Sequence, residues 1–535
     1  MKNKILLSLH RKALISYLVS IFIITSCGPL WGSSAMLATN EYSNVPTTLS
    51  TSLPTSQALT TTSVVKIITT STPIIDPTPD ANYLESPTSI ISPTVVPILI
   101  YYSQPGDSLI AVANHFGVNR TDIKSDVKLP ETNMIDPGTI MMIPDKIGIE
   151  TSPAVQIIPD SEVIYSPSAI DFDVTSYIST AGGYINRYKE YLESTKTTSG
   201  SDIVKRQALE NSINPRLLLA LLEYESGWVN GQPQNLASND YPLGYIDLNY
   251  IGLFRQLMLA AEDISVGYYG WRSGTLTELI FLDGKTIRIA PDLNAGSVAI
   301  LYYYSKHKNY SDWLAVIDPH EGFMKLYQSM FGDFRARAQK YEPLFPPGIT
   351  QPPLSLPFSP GETWSLTWGP HSAWEIGGGA LAALDFAPGV EHTIPCYTSD
   401  SWVLAAAAGK VVRSGNGLVV LDLDFDGYEQ TGWDLMYLHI ATKDRVPFGT
   451  LLNKDDRVGH PSCEGGRANG THIHFARKFN GEWVLADGPL PFDLSGWIAH
   501  AGKTSGEGTM TKGDQVVVAQ PNGTAITKIV RIPGE

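Results

Sequence analysis

Several things are scarce in this chain of 535 residues, and each scarcity narrows what it does. There is no excess of base. Lys and Arg total 38 against 53 Asp and Glu, the net charge is −15, and no basic cluster interrupts that balance, so a nucleic-acid partner is not expected. Cysteine occurs three times, at Cys27, Cys396 and Cys463, so each one needs its own account. The N-terminal apolar run, residues 13–24, is too short to span a bilayer comfortably. What is present is ample apolar matter, 43% of residues, and a length that suggests three or so domains.

The N-terminus reads as an export signal. Lys2, Lys4, Arg11 and Lys12 precede the apolar run, which ends in Ile24-Thr25-Ser26-Cys27. That ending resembles a bacterial lipobox. It implies a leader over residues 1–27, cut before Cys27, with lipid on the Cys27 thiol and the chain held on the outer face of an envelope membrane. An ordinary signal peptide or an uncleaved anchor is the alternative. With Cys27 so assigned, Cys396 and Cys463 remain, and an even pair in an exported chain suggests a disulfide over two free thiols. Residues 28–97 form a Thr/Ser/Pro tract with few charges and no sustained period, expected as a disordered tether open to O-glycosylation.

Seven of the 11 histidines fall between His371 and His500. Two of them stand in Thr471-His472-Ile473-His474-Phe475, a strand-like run in which period-two alternation puts both imidazoles on one face. Upstream lie His371 in Gly-Pro-His, Asp385 in Leu-Asp-Phe-Ala-Pro and His439 in Tyr-Leu-His. Two nitrogens, a carboxylate and a water recur as a catalytic zinc site. His392, His460 and His500 read as ordinary histidines. At these residues, and over 361–500 as a whole, the sequence resembles the LytM/lysostaphin-type zinc metallopeptidases (M23), which cut peptide cross-links in bacterial cell walls. The resemblance implies zinc held by His371, Asp385 and His474, with His439 and His472 as catalytic histidines beside it. One departure stands out: 13 residues separate His371 from Asp385, where the family pattern has three, so His371 is the least anchored member. The Gly-rich stretch 375–380 would loop out to absorb the difference.

Two further resemblances concern the middle of the chain. Residues 98–146 resemble a LysM module. The opening Gly106-Asp107-Ser108-Leu109, a helix carrying Leu109, Val112, Ala113 and Phe116, and the closing Pro137-Gly138-Thr139-Ile140 carry that likeness. It implies a small βααβ unit that grips N-acetylglucosamine-containing glycan along Gly106, Asp107, Ser108 and Leu109 and along Asp136–Ile140. After a linker at 147–175, residues 176–343 turn helical around Pro215–Trp228, with Asn214 as the expected cap and Leu217, Leu221, Tyr224 and Trp228 on one stripe. Glu225-Ser226 resembles the catalytic helix end of lysozyme-like and lytic transglycosylase enzymes. That likeness implies Glu225 as a general acid, with Gly252–Leu257 as a second strip and Asp240, Asp247 or Glu262 as a second carboxylate. A helical spacer with a solvated Glu225 is the plainer alternative.

A Pro-rich hinge is expected at 344–360. Asp422-Leu423-Asp424-Phe425-Asp426-Gly427 resembles the start of a calcium loop, but Trp433 stands where a bidentate Glu is due, which favours an ordinary hairpin turn. Residues 501–535 carry two short apolar runs of no evident function. The whole predicts a multidomain α+β chain: a small βααβ module, a mainly α lysozyme-like domain, a mainly antiparallel β peptidase domain and disordered linkers. The leading function is a zinc peptidoglycan hydrolase. The competing one is a non-catalytic wall-binding or amidase-activator protein with a degenerate peptidase domain.

Overall fold

The computed structural model describes residues 96–374, 379–389 and 393–534. The leader, Cys27 and nearly all of the Thr/Ser/Pro tract lie outside the described residues. No described helix is long and apolar enough to cross a membrane.

The first described unit is β1 (Ile98–Tyr102), α1 (Leu109–Phe116) and β2 (Ile140–Pro144), with β1 and β2 antiparallel. The Ser108 hydroxyl accepts the Ala111 N–H and caps α1, and Gly117 ends it at φ +63°. Where a second helix was expected, one 3₁₀ turn stands at Arg120–Asp122. The expected glycan groove is corrected at Gly106–Leu109. The Asp107 carboxylate is buried and accepts from the Tyr101 hydroxyl (2.7 Å) and the Gln104 N–H (2.8 Å). Ser108 is used up as a cap, and Gly106 abuts the Arg272 guanidinium. Asp107 and Ser108 serve the fold, and Leu109 is half-buried. Gly106 borders a cleft of about 460 Å³ that Asp136, Pro137, Thr139, Phe345 and Pro346 also line.

The helical region follows. Its principal helices are α2 (Gly200–Asn211), α3 (Pro215–Ser226), α4 (Leu253–Arg272) and α5 (Ala295–His307). Asn214 caps α3, Pro215 takes its first turn, and Gly227 closes it at φ +66°. The burial exceeds the expected stripe: Leu217 through Leu222 are all buried, so α3 is a central helix enclosed on nearly every side. Two expected linkers are also corrected. Ile157, Ile158, Val163 and Ile164 are buried in the helical core, and Leu354, Leu356 and Phe358 in the sheet core. Their prolines sit between apolar residues that pack, so these stretches are structural straps.

The remaining chain is an antiparallel β-region. Its strands are β3 (Thr363–Ser372), β4 (Leu381–Ala387), β5 (Gly409–Gly415), β6 (Leu418–Asp422), β7 (Trp433–Leu438), β8 (Leu451–Leu452), β9 (Ile473–Phe479), β10 (Glu482–Trp483) and β11 (Lys528–Val530). Among the described residues the main sheet runs β8-β5-β6-β7-β9-β4-β3-β11, with β10 beside β9. The tail adds β11 at the edge of this sheet, and its Gly508–Lys512 and Gln515–Val518 strands belong to a separate four-stranded sheet. Strand alternation splits the side chains between two cores. Leu421, Leu435, Tyr437 and Phe475 join one cluster, whereas Val420, Met436, Leu438 and Ala476 join the cluster of the helical region. Both faces of the sheet are therefore covered, and the molecule is α+β with its helical part laid against one sheet face.

One cation ties these parts together. Arg272, at the end of α4, pairs with Asp160 (2.8 Å) and Glu482 (2.9 Å) and donates to the carbonyl of Pro105. A second contact is His115 of α1, whose ring stacks on Trp271 at 3.5 Å and whose Nε2 donates to the Trp271 carbonyl (3.0 Å). Burial pushes His115 down to about 3.

Arg272→Met should lower stability by about 3–5 kcal/mol, because two buried carboxylates lose their partner. Urea unfolding measures this, and the exposed Lys325→Met serves as the unchanged control. For His115 the unfolded chain titrates near 6.5 and the folded one near 3. Its contribution is complete above pH 6.5 and fades as pH falls toward 3, because the unfolded state takes up the proton first. The urea midpoint of His115→Phe should show a shallower fall than wild type between pH 6.5 and 4.

Candidate metal centre

The centre forms where β3, β4 and β9 lie side by side. His474 of β9 is the register partner of Asp385 on β4, and His371 of β3 is opposite Ala383, two residues before Asp385. Side chains on one face of paired strands meet directly or diagonally, so the three groups converge. His371 Nε2 and His474 Nδ1 are 2.9 Å apart. They lie 3.2 and 3.3 Å from Asp385 Oδ1. Within the 13-residue spacing between His371 and Asp385, β3 continues past His371 to Ser372 and β4 pairs antiparallel with it from Leu381, with Ala373 N–H donating to the Ala380 carbonyl. Register shifts along β3 set His371 back into line.

Each ring is oriented from behind. His371 Nδ1 donates to the Gly369 carbonyl (2.8 Å) and His474 Nε2 to the Ala373 carbonyl (2.9 Å). In its neutral form each ring therefore presents a lone pair to the same point. Asp385 Oδ1 is buried there and no hydrogen bond reaches it. Two lone pairs and an unpartnered carboxylate oxygen repel unless a cation lies between them, and two imidazoles with one carboxylate are a donor set that suits zinc. His371, Asp385 and His474 form a candidate metal site on these grounds.

The charges agree with this reading. Burial pushes Asp385 up, but His371 and His472 outweigh it and hold the carboxyl well below its usual range. Burial pulls His371 down, and Asp385 outweighs it in the other direction. Burial lowers His474.

His472 and His439 stand beside this triad. His472 Nε2 is 3.3 Å from Asp385 Oδ2, and its Nδ1 donates to the Gly470 carbonyl (2.7 Å). The His439 ring lies 4.5 Å from the His472 ring, with Nδ1 donating to the Glu464 carbonyl (3.1 Å). Burial and the neighbouring His472 push His439 to about 3, so it is a neutral base. His439 follows the last residue of β7 with φ +65°, a conformation that costs on the order of 1–3 kcal/mol in a non-glycine residue. The Ser462 N–H and hydroxyl both donate to its carbonyl, at 2.8 and 2.9 Å, and hold it there. Cys463, next in the chain, is joined to Cys396 by a disulfide. Thus the bridge fixes the loop that supplies Ser462 and Glu464. Sequence reasoning missed these two residues. Their role runs largely through backbone groups, and the only signal was their place beside Cys463.

The other candidates fall elsewhere. Glu225 pairs with Lys308 (3.0 Å). Asp247 caps a 3₁₀ turn. Gln256, in the second strip, is buried and bonds the main chain of Leu243, Tyr245 and Tyr250. Asp240 accepts from the Asn239 amide (2.8 Å), the second Glu225 oxygen is buried without a hydrogen-bond partner, and burial together with Asp263 raises Glu262.

Comparison with known proteins follows the same division. Residues 156–343 match the model of the LasA N-terminal domain, a different likeness from the lysozyme-like one that Glu225-Ser226 suggested. The chain is 25% identical over 349 residues to Protease LasA of Pseudomonas aeruginosa (strain UCBPP-PA14), a match that spans 62% of this chain and 75% of that protein. Among solved structures it is similar to the M23 metalloprotease pseudoalterin from the deep sea, at 21% identity and TM-score 0.26, over 32% of this chain and 96% of that one. It is also similar to the catalytic domain of the antimicrobial peptidase lysostaphin from Staphylococcus simulans, at 21% identity and TM-score 0.17, over 23% of this chain and 89% of that one.

Proposed function

We propose that this chain is a zinc-dependent endopeptidase of the M23/LasA type, acting outside the cytoplasm on amide bonds of peptidoglycan stem peptides or cross-bridges. The observation that carries the reading is the meeting of His371 Nε2, His474 Nδ1 and an unpartnered Asp385 oxygen, with two further imidazoles alongside. The similarity to Protease LasA supports peptide-bond cleavage, and the disulfide suits an oxidising compartment.

In this reading His371, Asp385 and His474 hold the ion. Zinc there supplies Lewis acidity and lowers the pKa of water from 15.7 to about 7. The protein's own part is positioning and proton transfer. Since the Nδ1 of both His439 and His472 donates to a carbonyl, the free nitrogen on each ring is Nε2. His439, neutral across the physiological range, accepts a proton at Nε2 or, once protonated, passes it to the leaving amine. His472 Nε2 lies against Asp385 Oδ2, and when that ring carries a second proton it is placed to donate from Nε2 to charge that develops on the scissile carbonyl oxygen. An activator with a degenerate site is the less favoured reading, because all five polar groups are present and oriented.

His474→Ala should lose bound zinc and peptide cleavage together. His439→Ala should retain zinc and lose about 10²–10⁴-fold in turnover, while Glu225→Gln leaves cleavage unchanged. Elemental analysis of each purified variant gives the metal content. Counting new amino groups released from purified sacculi gives the activity. Full activity in His439→Ala would remove the role assigned to that ring, and a zinc-free wild type would favour the activator.

A further inference from the structure

The hairpin between β6 and β7 is not used by the peptidase reading, yet it concentrates acid to an unusual degree. Asp422 ends β6, Asp424 and Asp426 follow at alternate positions, and Asp434 opens the return on β7. One ligand oxygen or more from each of Asp422, Asp424 and Asp426 lies within 4.8 Å of the others. We propose that this hairpin carries a second cation site, separate from the histidine centre, that takes a hard divalent ion of the calcium class on Asp422, Asp424, Asp426 and Asp434.

Acidic turns are common without an ion, so the cluster alone decides nothing. The deciding group is Asp434. It is 1% exposed, and neither of its carboxylate oxygens has a hydrogen-bond partner. A bare buried carboxylate costs several kcal/mol unless something neutralises it. Asp434 is the direct register partner of Asp422, so both carboxylates stand on the same sheet face. Its other neighbour across the sheet is Lys478, but that ammonium is engaged with Glu429 at 3.2 Å. Burial raises Asp434 far above the usual range, and Glu429, Asp422 and Asp424 add to it.

The local charge count points the same way. With every carboxyl ionised, as ion binding requires, Asp422, Asp424, Asp426, Asp434 and Glu429 face Arg413, Lys410 and Lys478, which leaves two negative charges over. One divalent cation closes that gap.

The loop is also shaped for the task. Asp422 Oδ2 accepts the N–H of Gly427 (2.8 Å), and Gly427, sixth from Asp422, turns at φ +97°. Acids at positions one, three and five with glycine at six are the start of a twelve-residue calcium loop. Trp433 occupies position twelve, and the carboxylate comes one residue later from Asp434. All-oxygen donors on a flexible turn select calcium over zinc.

The test uses the full chain with its zinc restored after chelation. Calcium chloride should raise the melting temperature with an apparent affinity on the order of 10⁻⁴–10⁻³ M, the range of extracellular modules. Terbium should bind competitively and luminesce on excitation of the adjacent Trp433 and Tyr428. The double variant Asp424→Asn/Asp426→Asn should lose both responses while keeping one zinc per chain. His474→Ala should lose zinc and keep both responses, which separates this site from the peptidase centre. Asp434→Asn keeps the loop's backbone bonds. It should bind calcium at least tenfold more weakly while keeping one zinc per chain. No calcium shift in the wild type, or an equal shift in the double variant, would overturn the proposal.

Discussion

The whole candidate site depends on one buried carboxylate. Asp385 sits with Oδ1 toward His371 and His474 and Oδ2 toward His472, so three imidazoles are arranged around a single side chain. A carboxylate in that position, without compensation, would be expelled or protonated. It is kept charged by imidazoles whose far nitrogens are pinned to main-chain carbonyls. The sheet register makes this arrangement rigid: β9 and β4 are paired at His474–Asp385 itself, so a slip of one residue would turn either side chain to the opposite face. The centre is therefore as well defined as the sheet it stands on.

That sheet has few freedoms left. Its far face buries Leu384, Phe386, Tyr437 and Phe475, and its site face is packed in part against the helical region through Met436, Leu438 and Ala476. At roughly 1.5–3 kcal/mol for each large buried side chain, this apolar area far outweighs any single ion pair. The polar ties at the seam, Arg272 to Asp160 and Glu482, act differently. They add little net energy relative to apolar packing, but they specify one docking geometry, since any other leaves buried charge bare. Apolar burial holds the parts together, and Arg272 selects how they meet.

Most of the centre was legible in the sequence because its signals are strand signals. A two-residue spacing of His472 and His474 within a β-branched and aromatic run can mean only one shared face, and that inference needs no partner strand. His371 was less legible, since the stretch between it and Asp385 is longer than the family pattern and its length says nothing about register. Ser462, Gly369, Gly470 and Ala373 were invisible for a different reason: all but the Ser462 hydroxyl contribute main-chain groups, which any residue type supplies. The errors elsewhere share a cause. Proline and polar residues near 147–175 and 344–360 suggested linkers, but Ile157, Ile164, Leu356 and Phe358 among them are buried, and spaced apolar anchors hold a strap that lacks periodicity. Glu225-Ser226 suggested a lysozyme-like domain by local pattern, whereas residues 156–343 match the LasA N-terminal domain, and a helix-end glutamate paired with lysine reads the same in sequence as a catalytic one.

β7 connects the two acidic-and-histidine regions. Asp434 stands at its start and His439 just past its end, five residues and about 17 Å apart at strand rise. No ligand is shared across that distance, and the donors differ in kind: nitrogen and one carboxylate at the histidine end, oxygen alone at the other. Neutralising the hairpin charge would therefore not alter the chemistry of the histidine end directly. It would act on the strand. β7 is held between β6 and β9, so its position fixes the turn that forces His439 into its left-handed conformation. Asp422, Asp424 and Asp434 crowd one end of the β6–β7 pairing, whose other end delivers the His439 ring. An ion at the hairpin would relieve that crowding, and the ring itself is held from the other side by Ser462 and the Glu464 carbonyl.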